Sequence, residues 1–343
     1  MDVDEFNAKA TEAIPANVRM FSGCQDCQTS ADVFNVSSFD MPSDAGPGGA
    51  GGACTNALLS SAYANSDISL VDLLKSMRDI LGEKKYSQVP QLSSSRKLDL
   101  TSTWTPLLKD GSGVNRALLI GINYVGSNAE LKGCHNDVVA MKTYLISQGF
   151  REEDMKIYMD DGIHENPTYD NIVAAFEWLV KNAGEGDNLF FHYSGHGGNE
   201  PDDNGDEKDG RDETLIPVDY QQRGQIRDDL IYQQLVVALP AGVQLTACMD
   251  CCHSGTVFDL PYIFVASQDS FQEDADTPVP EMTTNPSFSF QRVLKVAKKA
   301  YEMYQKGAGV QDIALTLKDE VTEEDKAALS KAAKGCLGKC AIA

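Results

Sequence analysis

The sequence predicts an α/β protein whose central sheet is mostly parallel and flanked by helices on both faces. Two kinds of segment carry this expectation. Short continuous apolar runs, at 116–124 and 243–249, read as strands covered on both faces. Segments with helical apolar spacing, at 134–148, 168–182 and 228–239, alternate with such runs, and this alternation implies right-handed βαβ units. A third observation concerns where the runs stop. The runs at 188–193 and 243–249 end abruptly at small, polar, glycine-containing turns, the kind of strand end at which open α/β sheets bind and transform ligands.

Taken in order, the first region (1–100) opens with a strand at 17–22 and continues through the glycine-rich stretch 46–52. Helices follow at 53–63 and at 70–81, where Leu70, Leu73, Leu74, Met77 and Leu81 share one face and Gly82 stops the turn. The Ser-rich stretch 90–100 reads as an edge strand or a linker, and 101–115 joins it to the next region. The second region (116–262) adds strands at 156–159 and 188–193. An acidic, Pro-containing linker (263–287) then leads to a helical C-terminal extension (288–343), in which Phe290, Val293, Leu294, Ala297, Ala300, Tyr301 and Tyr304 share a face.

With 343 residues and 42% apolar content, the chain can bury one large core, or a core plus an appendage. A formal net charge of −22 repels phosphate, so no nucleic-acid partner is expected. It favours metal ions or basic peptides, although solubility alone accounts for such a charge. Nine cysteines, an odd number, with neither a basic nor an apolar leader before them, predict reduced thiols in a cytoplasmic compartment.

The strand ends carry the chemistry. His192-Tyr-Ser-Gly-His-Gly-Gly198 closes one strand, and Asp250-Cys-Cys-His-Ser-Gly255 closes another. A catalytic cysteine attacks as thiolate and needs a base nearby, with donors aimed at the oxyanion that forms. Cys252 fits the nucleophile and His196 the base and acid. Gly197 lets backbone approach a substrate and points its N–H into the site. Cys251 is the alternative nucleophile, should the turn lie one residue out of register. His253 reads as structural and His192 as a packed core histidine.

These paired motifs resemble those of the metacaspases, cysteine peptidases with the caspase-like three-layer fold. The resemblance covers about residues 17–262 and includes Leu131-Lys-Gly-Cys-His-Asn-Asp137 and Phe21-Ser-Gly-Cys-Gln-Asp-Cys-Gln-Thr-Ser-Ala-Asp32. The second of these is similar to the start of the family's small subunit. Here it precedes the large-subunit-like region, an order similar to the type III group of algae. With no cleavable segment between nucleophile and small subunit, activity without obligatory chain cleavage is expected.

The resemblance implies cleavage after Arg or Lys, through a pocket formed by Cys134, Asp137, Ser194 and Asp250. Two carboxylates there favour a guanidinium or ammonium and disfavour a substrate Asp. Without the resemblance, Asp137 reads as capping a helix N-terminus and Asp250 as closing its strand by local hydrogen bonds. It also implies Ca2+ ligation by Asp212, Asp228, Asp229 and Asp259. The stretch 202–213 mimics an EF-hand loop but carries Glu207 where glycine is required, and reads as an acidic surface loop.

Cys24-Gln-Asp-Cys27 and Cys248-Met-Asp-Cys251 read as inert core thiols or, for Cys24, Cys248 and Cys251, as a regulatory disulfide set rather than zinc ligands. The chain ends Cys340-Ala-Ile-Ala343, with Cys336 and three lysines before it, a lipidation box that would tether it to a membrane. The predicted partners are basic-residue-containing substrates of a monomeric enzyme. The competing reading is a redox- or calcium-responsive binding protein on the same fold.

Overall fold

The computed structural model describes residues 2–23, 32–33, 36–107, 113–201, 210–252, 254–271 and 280–290. In chain order the elements begin with α1 (Val3–Ala13), β1 (Asn17–Ser22), β2 (Asp32–Val33), β3 (Gly51–Gly52), α2 (Ala53–Ala64), α3 (Leu70–Glu83) and β4 (Gln91–Ser94). They continue with β5 (Asn115–Gly121), α4 (Cys134–Ser147), β6 (Met155–Met159), α5 (Tyr169–Val180), β7 (Asn188–Ser194), β8 (Gly197–Pro201) and β9 (Arg211–Leu215). The remainder are α6 (Tyr220–Arg223), β10 (Ile226–Arg227), α7 (Asp228–Ile231), β11 (Gln244–Asp250), β12 (Tyr262–Val265) and β13 (Thr283–Thr284).

Eight strands form the central sheet in the order β13-β12-β4-β1-β11-β7-β5-β6. The five from β1 to β6 in that order are parallel, and β4, β12 and β13 are joined antiparallel. Successive residues of the parallel strands alternate between two cores. Phe21, Leu119, Phe190 and Cys248 face one side with Leu58, Leu73 and Met141 of α2, α3 and α4. Leu118, Ile120, Phe191 and Ala247 face the other with Ile172 and Phe176 of α5 and Leu235. Continuous apolar runs are therefore required, and each fully buried Leu or Phe contributes about 1.5–3 kcal/mol.

The mixed α/β architecture follows the expectation, with differences in detail. The 90–100 stretch supplies β4, which is an internal strand between β1 and β12. The tract read as an acidic linker contains β12 except for its first residue, and it returns β13 to the outer edge of that strand. The helix expected over 228–239 is broken: α7 passes into a π turn at 232–236, where Tyr232, Gln234 and Leu235 are buried. A separate three-stranded sheet, β10-β9-β8, rises beyond the end of β7. The C-terminal helical face lies outside the described residues apart from Phe290, which packs edge-on against Phe6 at 5.2 Å.

Register positions the site. Gly121, Ser194 and Asp250 are aligned across β5, β7 and β11. The chain leaves all three strands at one level, so residues 196 and 252 each lie two positions beyond a paired residue.

Candidate active site

His196 is held from several directions at the end of β7. Its Nε2 lies 2.8 Å from the Ala129 carbonyl oxygen. A carbonyl can only accept, so Nε2 carries the proton and Nδ1 is left as the basic nitrogen. The backbone N–H of His196 donates to the Tyr124 hydroxyl at 3.0 Å, and its carbonyl accepts from the Tyr193 hydroxyl at 2.8 Å. The Tyr124 ring lies 4.6 Å from the imidazole, centroid to centroid, at 38°. Burial pushes the pKa of both tyrosines up, so their hydroxyls stay protonated as donors.

Cys252, partly exposed, follows β11 in the adjoining loop. The two loops touch at Gly197, where any Cβ would lie 1.9 Å from the Cys252 carbonyl oxygen and 3.3 Å from its nitrogen. Glycine at 197 is thus a condition of close approach between the two strand ends. Cys251 is 1% exposed, which leaves Cys252 as the more accessible thiol of the pair. His192 is fully buried, donates from Nδ1 to the Cys248 carbonyl at 3.0 Å, and has its pKa pushed down to about 4 by burial. His253 lies outside the described residues.

Asp137, Ser194 and Asp250 come together around the N-terminus of α2. Gly52 N–H donates to both Asp137 oxygens at 2.8 and 2.9 Å, and the Asn56 amide donates to the same carboxylate at 3.1 Å. Ser194 Oγ completes it at 2.7 Å, while Thr55 N–H donates to Asp250 at 2.7 Å. A Cβ on Gly52 would fall 2.2 Å from an Asp250 oxygen and 2.7 Å from one of Asp137. The carboxylates therefore cap α2, a helix contributed by the first region, where its dipole favours negative charge. Cys134 opens α4 nearby, its N–H bonded to the Asn123 side chain at 3.0 Å. All four side chains are buried.

Among the described residues, no three His, Cys, Asp or Glu side chains converge as a ready metal site. The aspartates implied for calcium are nonetheless partly gathered. Asp212 of β9 has its pKa raised to about 7, by burial first and then by Asp228 and Asp229. One of its oxygens pairs with Arg227, while the other is buried with no hydrogen-bond partner. Asp228 accepts from Glu213 N–H at 3.2 Å and from Asp229 N–H at 2.7 Å. Asp259 sits in the left-handed region at φ 39°, just after Thr256, whose hydroxyl donates to Glu213 at 2.9 Å. An orphaned carboxylate oxygen beside further carboxylates is donor chemistry suited to a hard cation.

Cys54, Cys134, Cys248 and Cys251 are buried, and Cys252 is partly exposed. Burial, followed by Asp250 and Asp137, drives the Cys248 pKa well up, which keeps this thiol protonated and unreactive. Cys24, Cys336, Cys340 and most of the EF-hand-like loop lie outside the described residues. Sequence reading missed Tyr124, Ala129 and Arg227. The first ends an apolar run at a strand end, the second acts through backbone alone, and the third stands beside two of the implied ligands.

The family "Metacaspase, peptidase C14 domain" matches residues 115–261, and "Caspase domain" matches residues 3–101. The chain is similar to Metacaspase III c of Phaeodactylum tricornutum, with 46% identity over 299 residues, covering 85% of this chain and 86% of that protein. It is similar to Metacaspase-1 of Mycosarcoma maydis, 52% identical over 157 residues, 45% of this chain and 39% of that one. Metacaspase-1 of Coccidioides immitis is 53% identical over 156 residues, 45% and 34% respectively. The chain thus matches little more than a third of each fungal relative's length. A solved structure from Geobacter sulfurreducens shares 33% identity over 43% of this chain and 53% of its own, with a TM-score of 0.34, and supports no argument about the fold.

The family matches make this fold that of a cysteine-type peptidase of the caspase class. The chain belongs to the metacaspase family. Among the described residues, no helix is long and apolar enough to cross a membrane.

Proposed function

We propose that the protein is a calcium-dependent endopeptidase that cleaves after Arg or Lys through a Cys252–His196 dyad. The observation that carries this reading is the junction at Gly197, which seats the two reactive strand ends against each other. His196 Nδ1 takes the Cys252 proton, and the thiolate attacks the scissile carbonyl. The Gly197 and Cys252 N–H groups stabilise the oxyanion. His196 then protonates the leaving amine, and water attacks the thioester with His196 as base.

Asp137 and Asp250, oriented by Ser194, Asn56 and the backbone of α2, supply the negative charge that a substrate guanidinium or ammonium requires, with Cys134 completing the pocket. Asp212, Asp228, Asp229 and Asp259 would hold Ca2+, which supplies a positive charge that draws their loops together. Arg227 provides part of that charge from within the chain. The first region packs β1 directly against β11, the strand that leads into the Cys252 loop, which supports activity of the uncut chain.

Hydrolysis of Arg-, Lys- and Asp-ending peptides by intact protein, with calcium or chelator, tests this. Calcium-dependent Arg/Lys cleavage abolished by Cys252→Ala supports it. Activity that emerges only after the chain is cut removes the claim of an uncut active form.

A further inference from the structure

Tyr124 has no part in the dyad just described, yet it touches His196 in two ways. Its hydroxyl accepts the His196 N–H at 3.0 Å and donates to the Ile216 carbonyl at 2.7 Å, tying β7's end to the chain after β9. Its ring covers the imidazole at 4.6 Å. The residue that makes both contacts has an unusual backbone. Tyr124 lies at φ 51°, in the left-handed region, where a bulky side chain is a genuine outlier and persists only if its surroundings over-determine it.

The surroundings do so. Asp160, just after β6, accepts from Asn123 N–H at 2.8 Å and from Val125 N–H at 2.9 Å, bracketing Tyr124 on both sides. His135 of α4 holds the same carboxylate at 2.6 Å. Tyr124 O accepts from Ser127 N–H at 3.0 Å and Asn123 O from Leu131 N–H at 2.8 Å, closing a loop that contains Ala129. That loop delivers the carbonyl that holds His196 Nε2. One strained turn therefore sets the backbone, one ring face and the far nitrogen of a single histidine.

From these contacts we infer that Tyr124 is a positioning residue of the peptidase, clamping His196 so that Nδ1 is aimed at the nucleophile, with Asp160 as the peg that keeps the clamp shut. The inference rests on the Cys252–His196 reading. During catalysis the imidazole becomes imidazolium, and an aromatic face alongside stabilises that cation. Misaiming a catalytic group by about 1 Å costs on the order of a hundredfold in rate, so the effect belongs in kcat, while substrate binding stays with the carboxylate pocket.

The test compares Tyr124→Phe, Tyr124→Leu and Asp160→Asn with the parent and with His196→Ala. Steady-state hydrolysis is normalised to active sites titrated with an Arg-ending peptidyl inhibitor that alkylates Cys252, because a simple thiol reagent would also label the other cysteines of unfolded molecules. Tyr124→Phe is expected to lower kcat about tenfold with KM changed less than about twofold. Tyr124→Leu should lower kcat about a hundredfold and move the pH midpoint of kcat/KM, which Tyr124→Phe should leave in place. Asp160→Asn should resemble Tyr124→Phe. Parent-like kcat per titrated site in both Tyr124 variants, with His196→Ala inactive, overturns the clamp and leaves the dyad intact. Retained activity in His196→Ala overturns the dyad itself, and the clamp with it.

Discussion

A Cβ on Gly197 would lie 1.9 Å from the carbonyl oxygen of Cys252, a separation that real atoms never adopt. The contact is backbone to backbone, so no side-chain rotation relieves it. Gly197→Ala is therefore expected to displace the nucleophile loop and reduce kcat/KM at least about a hundredfold. The thermal midpoint should fall only slightly, since the loop lies beyond the ends of the core strands. Paired kinetics and melting curves check this. A Gly197→Ala enzyme with parent activity would show that the junction has no functional role.

The Asp137 and Asp250 carboxylates serve two masters, the N-terminus of α2 and the proposed substrate cation. Asp137→Asn and Asp250→Asn each keep an acceptor for the α2 N–H groups but lose the charge. Stability should drop by about 1–2 kcal/mol, as for a weakened helix cap. Cleavage after Arg should fall at least about a hundredfold in kcat/KM, with the larger effect on Arg than on Lys where two-point contact is lost. Denaturant titration and kinetics on matched peptides separate the two roles. Equal losses on Arg and on neutral-residue peptides would assign these aspartates to helix capping alone.

His192 gives a pH signature of the core. Its folded pKa is pushed down to about 4 from an ordinary 6.5, because burial disfavours the imidazolium. Between those values the unfolded chain binds a proton that the folded chain refuses, so stability falls as pH drops from about 6.5 to about 4 and the loss is complete below that. The shift corresponds to roughly 3 kcal/mol. His192→Asn should flatten urea-melt stability between pH 7 and pH 4.5 relative to the parent. An unchanged slope would remove His192 as its cause.

Much of this architecture is legible in the sequence for a physical reason. β5, β7 and β11 are buried on both faces, and their apolar runs cannot be mistaken for loops. The motifs at their ends single out Cys252 and His196 as the candidate dyad because glycines and reactive side chains cluster there. By contrast, β8 and β9 read Gly-Gly-Asn-Glu-Pro and Arg-Asp-Glu-Thr-Leu, polar strands whose pairing depends on each other rather than on an apolar face. β12 is four residues long beside an acidic tract, too short for periodicity to register. The turn at Tyr124 and the Ala129 carbonyl act through backbone conformation and distance, which a one-dimensional pattern does not encode.

Arg227 offers a probe of the acidic cluster. Its guanidinium bonds Asp212 and reaches Glu200 at 3.1 Å, placing a resident cation where Ca2+ is proposed to bind. Arg227→Gln should tighten calcium binding several-fold, and Asp212→Asn should abolish it, as read by calorimetry on the Cys252→Ala protein. No calcium heat in the parent, or equal affinity in all three, would remove the metal from this cluster.

The most direct test of the central claim is release of a fluorophore from Arg-, Lys- and Asp-ending peptides by the uncut protein in reductant, with millimolar calcium or chelator, beside Cys252→Ala and His196→Ala. The account predicts calcium-dependent cleavage after Arg and Lys, none after Asp, and none by either variant. Cleavage that persists in Cys252→Ala, or no cleavage by the parent in any condition, would contradict it.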